Sequence, residues 1–335
     1  MKPRFGIYDV LKILMNQINP YKFIFYREYM IDYERYARTI DDWFEILDDA
    51  VIKALKLYSD RGLPSLDLGN YRKPLGVGSG NAAQTVKIIL RGKDFVPATE
   101  STYEQKLDLI DGVDGVILVS ASGEKSAPGI ARGVRSRGLE IRLLTCNPDA
   151  PAMDIVGSEN TFVFPKRPEP YAYNTSTYLG MILGKTGEDP ERILDYIKRV
   201  DPLLEEIDFR IDEHPAYVFL IPGKFSILEE ILRTKFIELF SDRFPRDFFS
   251  PEYAEKHAID IVERDKDTLW VGLGYENTSI GDRRLNIPLP EDADYGTAMA
   301  VGYYLVGKIQ RANDPWFREG LVDWCSDKGY APLVE

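Results

Sequence analysis

Histidine and cysteine are nearly missing from this chain, which has two of each in 335 residues. Cys146 and Cys325 lie far apart, which excludes a disulfide framework and gives no zinc-ligand spacing. His214 and His257 are too few for a His-rich metal site. Positive charge is also short: 42 Lys and Arg stand against 54 Asp and Glu, a net charge of −12. No basic stripe is available to meet the phosphates of a duplex, so no nucleic-acid partner is expected. An anionic small ligand needs only local positive potential and stays open. No apolar run approaches the ~20 residues of a membrane-spanning helix. The opening Met1-Lys-Pro-Arg-Phe5 lacks the apolar region of a secretory signal. The expectation is a soluble, cytoplasmic protein with no membrane partner.

The composition, 44% hydrophobic and 29% charged, suits two domains with real cores. Residues 1–38 are rich in aromatics, among them Phe5, Tyr8, Phe23, Phe25, Tyr29 and Tyr36, with Pro20 breaking the pattern. They read as a packing arm over a domain or a neighbouring subunit. From residue 39 to 205, short apolar runs alternate with helical patterns. Thr39 and Asp42 resemble a capping box. Phe44, Leu47, Val51, Leu55 and Tyr58 mark one helix face, ended by Arg61-Gly-Leu-Pro64. Asp189-Pro190-Glu191 opens a further helix, which Asp201-Pro202 should end. The pattern restarts in residues 206–335 with the run Ala216–Ile221 and a capping box at Ser226 and Glu229. Near the end, Gly296–Ile309 reads as a helix in which small and apolar residues alternate. Strands alternating with helices of ten to fifteen residues predict an α/β fold, with parallel sheets covered by helices on both faces. Two such halves stand in tandem, joined near 201–213. The arm and the small-residue helix both want partners, so a homodimer is expected.

One stretch concentrates the chemistry. Val116–Val119 is a buried strand that runs into Ser120-Ala-Ser-Gly-Glu-Lys-Ser126, and a helical pattern follows at Ile130, Ala131 and Val134. Such a turn aims backbone N–H groups and hydroxyls at one point, a common way to hold a phosphate. Upstream, Pro74–Asn81 is a strand with a glycine-rich turn, Gly76-Val-Gly-Ser-Gly80. It reads as a tight turn or as the wall of an anion pocket. A dinucleotide fingerprint there lacks its third glycine, and no acidic residue ends a second strand about 20 residues on. In the second half, Lys235 and Glu238 stand three apart on one helix, a surface pair or a carboxylate base beside a cation. His257, near Glu255, is a candidate proton-transfer group.

The turn Ser120-Ala-Ser-Gly-Glu124 resembles the S-x-S-G-E turn of the sugar isomerase (SIS) superfamily. Gly76–Gly80 matches that family's first glycine/serine turn, Lys235-x-x-Glu238 its K-x-x-E, and Glu255-Lys-His-Ala258 is similar to its E-x-K-H-G. The tandem halves are similar to the isomerase part of glucosamine-6-phosphate synthase and to bifunctional phosphoglucose/phosphomannose isomerases. Over about residues 70–310, the resemblance implies two doubly wound SIS domains, each of three layers. It implies a sugar-phosphate ligand and no cofactor. The phosphate would be held by Ser79, Gly80, Ser120, Ala121, Ser122, Gly123, Lys125 and Ser126. Glu238 would move a proton between C1 and C2 of a hexose 6-phosphate, or an amino-sugar phosphate, through a cis-enediol. His257, from this chain or from a dimer partner, would assist ring opening. Arg167 or Lys235 would steady the developing oxyanion. A non-catalytic, regulatory sugar-phosphate binder is the alternative. Lys125 stands where the family has a hydroxyl, and the family's C-terminal catalytic lysine has no recognisable counterpart.

Overall fold

In the computed structural model, the described residues are 40–257, 265–313 and 316–334. The aromatic arm and Thr39 of the expected capping box lie outside them. The first half comprises α1 (Leu47–Arg61), β1 (Leu75–Val77), α2 (Asn81–Leu90), β2 (Val96–Ala98), α3 (Tyr103–Leu109), β3 (Val116–Val119), α4 (Ser126–Ser136), β4 (Ile141–Thr145) and β5 (Thr161–Val163). After β6 (Glu169–Pro170) come α5 (Thr175–Thr186) and α6 (Pro190–Glu205). The second half adds β7 (Tyr217–Leu220), α7 (Ile227–Phe240), β8 (Arg246–Phe249), α8 (Pro251–His257), β9 (Leu269–Leu273), β10 (Arg283–Ile287) and α9 (Tyr295–Ala312). The chain closes with α10 (Trp316–Lys328) and β11 (Leu333–Val334).

The first sheet runs β2-β1-β3-β4-β5 and the second β10-β9-β7-β8, with every pairing parallel. A separate antiparallel ribbon joins β11 to β6. Alternation along the strands sorts the core into layers. Ile117 and Val119 join a large cluster shared with the second half, whereas Val116 and Leu118 face a smaller one with Ile130 and Val134 of α4. Tyr217 and Phe219 likewise enter the shared cluster, and Val218 and Leu220 face outward toward Ala254 of α8. Each sheet therefore has one face on a common helical layer and the other under its own helices. That is why its strands read as unbroken apolar runs.

The small residues of α9 find their partners inside the chain. A Cβ on Gly307 would lie 2.1 Å from the Asp48 amide of α1, and one on Gly302 would crowd Leu232 of α7. Arg311 of α9 clasps Asp48 with bonds of 2.8 and 2.7 Å.

Local expectations fail in three places. Residues 44–46 break the first helix, because Glu45 is drawn to Arg167 and Lys53 while the Leu47 amide donates to Gln310. Ser226 makes no side-chain cap. The helix at Pro190 continues through Pro202 to Glu205; buried Leu204 and the bonds from Lys308 and Tyr304 to Asp201 hold its last turn despite the missing N–H.

Candidate functional site

β1 and β3 are neighbours in register, with Leu75 opposite Val116 and Val77 opposite Leu118. Their carboxyl ends therefore stop level, and the connections leave in opposite directions. That is a topological switch point, where open parallel sheets bind ligands. The turns at Gly78–Gly80 and Ser120–Ser126 meet there around a cavity of about 160 Å3. A Cβ on Gly78 would fall 2.6 Å from the Ala82 carbonyl carbon, so only glycine lets β1 pass this close to α2.

The orientation of the second turn follows from its carbonyls. Ala121 O accepts from Cys146 N at 2.9 Å and Thr145 Oγ1 at 3.0 Å. Ser122 O accepts from Asn147 Nδ2 at 3.0 Å, and Gly123 O from Ala152 N at 3.1 Å. Three successive carbonyls are thus tied back toward the end of β4. In trans peptides the following amides, those of Ser122, Gly123 and Glu124, point the other way. Gly123 N donates to Ser120 Oγ at 3.2 Å and Glu124 N to Ser122 Oγ at 3.3 Å, which leaves both hydroxyl protons free to point outward. Positive φ at Gly123 (64°) and Lys125 (47°) bends the backbone into a nest. A Cβ on Gly123 would also meet Ala150 Cβ at 2.5 Å. The N-termini of α2 and α4 both open here and add positive potential. Ser79, Ser120, Ala121, Ser122, Lys125 and Ser126 line the cavity, together with Glu100 and Tyr178. Gly80, in the left-handed region at φ 54°, ends the first turn as the N-cap of α2. The Lys125 ammonium lies 4.2 Å from the Tyr330 ring centroid, and Tyr330 stacks on Tyr171 at 4.8 Å. The C-terminal segment thus reaches the 120–126 turn, a contact with no signal in the sequence.

Glu238, about 30% exposed, accepts from Lys235 Nζ at 2.7 Å. Lys235 is fully buried and also donates to Tyr173 O at 2.7 Å and to Ala172 O. All three ammonium protons are used. The lysine expected to steady an oxyanion instead holds Glu238 and the 172–173 backbone. Glu238 opens on a cavity of about 450 Å3 with Tyr171, Phe317, Leu321 and Trp324, distinct from the switch-point cavity. Tyr178 lies between the two regions: it lines the switch-point cavity, and the Glu238 charge reaches its phenol. Burial first, then the Cys146 and Glu238 charges, push that phenol up.

Arg167 does not face a cleft. Its guanidinium pairs with nearly buried Glu45, one arm at 3.1 Å and the other closer. His257 is exposed at the end of α8, its ring 5.0 Å from Tyr253. Glu238 stands near the C-terminus of α7, at the edge where β8 begins, whereas α8 starts where β8 ends. α7 packs on the shared face of the second sheet and α8 on its outer face, so within one chain the two groups belong to helices on opposite faces of that sheet. Among the described residues, no group of three His, Cys, Asp or Glu side chains could hold a metal ion, and no helix is long and apolar enough to cross a membrane.

No protein-family model matches the chain, and no curated protein matches it in sequence. Solved structures do match in shape. Glucosamine-6-phosphate deaminase from Thermotoga maritima aligns over 85% of this chain and 93% of its own, at 16% identity and a TM-score of 0.55. The chain carries the tandem SIS fold. The C-terminal domain of glucosamine-fructose-6-phosphate aminotransferase from Francisella tularensis shares it over 79% of this chain and 93% of that one, at 13% identity and a TM-score of 0.54. Tagatose-6-phosphate ketose/aldose isomerase from Escherichia coli does so over 86% and 91%, at 14% identity and a TM-score of 0.53. In this chain the nest at the switch point belongs to the first half. The equivalent turn after β9 is closed on itself, since buried Asn277 both donates to Ile280 O and accepts from Ile280 N.

Proposed function

We propose that this chain binds a hexose 6-phosphate or amino-sugar phosphate and interconverts its aldose and ketose forms. The observation that carries the reading is the nest at the first switch point, where the Ser122 amide, the Ser120 and Ser122 hydroxyls and two helix N-termini converge. The phosphate sits against Ser79, Gly80 and Ser120–Ser126. Glu238, held by Lys235, removes the proton from the carbon beside the carbonyl. The electron pair forms the enediol double bond while the carbonyl oxygen takes up a proton. Return of the proton to the neighbouring carbon, with loss of the other hydroxyl proton, completes the exchange. His257 acts in ring opening from the partner subunit of a homodimer, a reading supported by its helix lying on the sheet face opposite that of Glu238. The similarity of the fold to structures named as sugar-phosphate enzymes supports the substrate class.

Incubation with fructose 6-phosphate in deuterated water tests the reaction. The expected result is solvent label at C1 of recovered ketose or C2 of the aldose product. Glu238→Gln should stop the exchange with the melting temperature unchanged. Ser122→Trp should abolish binding. Unlabelled sugar from every hexose 6-phosphate tried would end the isomerase reading. Saturable binding without exchange would leave the regulatory binder, which the opening of Glu238 onto a separate cavity favours.

A further inference from the structure

One phenol stands between the nest and Glu238 with no acceptor of its own. Tyr178, on α5, is 9% exposed. The other residues around the switch-point cavity lie between positions 77 and 130, so Tyr178 is what α5 contributes to its wall. Comparably buried tyrosines are paired: Tyr58, Tyr217 and Tyr304 donate to Ser176 O, Phe209 O and Asp201 Oδ1 at 2.8, 2.8 and 2.7 Å. The Tyr178 hydroxyl makes no hydrogen bond with any described residue. Buried hydroxyls are nearly always bonded, and one left over in a cavity wall calls for a ligand as its acceptor.

Lys235 ties α5 to Glu238. Its ammonium donates to Glu238 and to Tyr173 O, both at 2.7 Å, and Tyr173 directly precedes Asn174, the N-cap of α5. Tyr178 follows one turn later, its amide bonded to Asn174 O at 3.2 Å. Burial, reinforced by the Cys146 and Glu238 charges, keeps its phenol protonated, so it meets a ligand as a neutral donor. The cations nearby are already engaged. Lys235 is held by internal acceptors, Arg167 by Glu45, and the Lys125 ammonium by the Tyr330 ring. An oxyanion forming beside Glu238 would find none of them free, and Tyr178 is the donor placed between the nest and that base.

Resting on the isomerase reading, we propose that the Tyr178 hydroxyl donates a hydrogen bond to the carbonyl oxygen of the open-chain sugar, whose phosphate lies in the nest and whose reacting carbons point toward Glu238. When Glu238 takes the C1 proton of a ketose, the C–H pair becomes the C1–C2 double bond and the carbonyl pair moves onto O2. Tyr178 stabilises that charge and keeps its own proton. The O1 hydroxyl proton then crosses to O2. The O1 pair forms the new carbonyl as the double-bond pair takes back the Glu238 proton at C2. Tyr178 thus bonds most strongly to the charged oxygen, and its contribution falls on the rate rather than on ground-state binding.

Solvent-deuterium exchange into fructose 6-phosphate, paired with titration calorimetry of the same sugar, tests this in Tyr178→Phe on the full chain. Exchange at saturating sugar should fall roughly 100-fold. The dissociation constant should stay within roughly fivefold of the wild type. Phe keeps the ring and no internal hydrogen bond is lost, so the melting temperature should hold. Tyr303→Phe is the control. The Tyr303 hydroxyl is fully buried, makes no hydrogen bond and feels the Glu238 charge, yet Tyr303 lines neither cavity. That variant should exchange at the wild-type rate. An equal loss in both variants overturns the inference, because the field at Glu238 rather than contact with sugar would then be the cause. Binding lost in step with exchange also overturns it, since the hydroxyl would serve the ground state. Sugar bound without exchange by the wild type fails the isomerase reading and Tyr178 with it. Wild-type exchange that Tyr178→Phe leaves intact removes Tyr178 alone.

Discussion

Glu169 shows how a single buried group can set the pH behaviour of the fold. It is 1% exposed and accepts bonds from the Ser176 amide and hydroxyl. Burial raises its carboxyl from 4.5 to about 7, a rise that Ser176, Lys166 and Lys235 only moderate. The protonated form is therefore favoured in the folded chain. Below pH 4.5 both folded and unfolded states are protonated, and the full contribution is present. As pH rises from 4.5 to about 7, the unfolded state releases its proton first and stability falls, levelling off above the folded value. The change attributable to Glu169 is on the order of 3 kcal/mol. Urea unfolding of the wild type and Glu169→Gln across this window should show the slope only in the wild type. Parallel curves would locate the proton elsewhere. Lys235 and Arg167 carry another lesson of this scale. Both are cations of the types expected in the sequence, and both are committed to internal acceptors that no local pattern names.

At the scale of elements, the packing of β1 against α2 depends on Gly78. Ala at that position must push the helix away, because the blocking atoms are backbone rather than a movable side chain. Gly78→Ala should cost about 1–3 kcal/mol in denaturant unfolding and also weaken phosphate binding, since Ser79 and Gly80 move with the helix. A fully stable variant would mean the close approach is relieved cheaply. Elements were legible where period and caps agreed. Asp189 caps α6 through a 2.9 Å bond from Glu191 N, as Asp-Pro-Glu promises. The strand ending at Val119 and the helix starting at Ser126 stand where the apolar run and the serine turn put them. β6, β8 and β11 were not legible. They are two to four residues long, and they pair because distant segments are delivered to them. The same holds for α10, whose sequence lacks a clear apolar face.

Over the whole molecule, the largest core cluster runs from α1 through α5 and α7 to α9, so each half buries its face on helices of the other. Unfolding in urea should be one transition, with tryptophan fluorescence and far-ultraviolet circular dichroism coinciding. Two separated transitions would show that the halves have independent cores. The placement of Glu238 and His257 on helices at opposite faces of one sheet makes a further prediction. Mixing inactive Glu238→Gln with inactive His257→Ala, after subunit exchange, should restore part of the isomerase activity, because a hybrid dimer holds one intact pair. No recovery would separate His257 from the reaction.

The sequence by itself determined the class of fold, the tandem halves and the serine turn between β3 and α4. Those features rest on side-chain period, glycine and serine chemistry, and spacings of a few residues, all of them local. Only the tertiary structure decided which groups face one another. The crossovers of two parallel sheets bring Ser79 to Ser122, and Tyr178 to the same cavity. They also take Arg167 to Glu45 and keep Glu238 from His257. Such pairings depend on strand order and on which sheet edge a loop leaves, and residues far apart in the chain carry no local record of either.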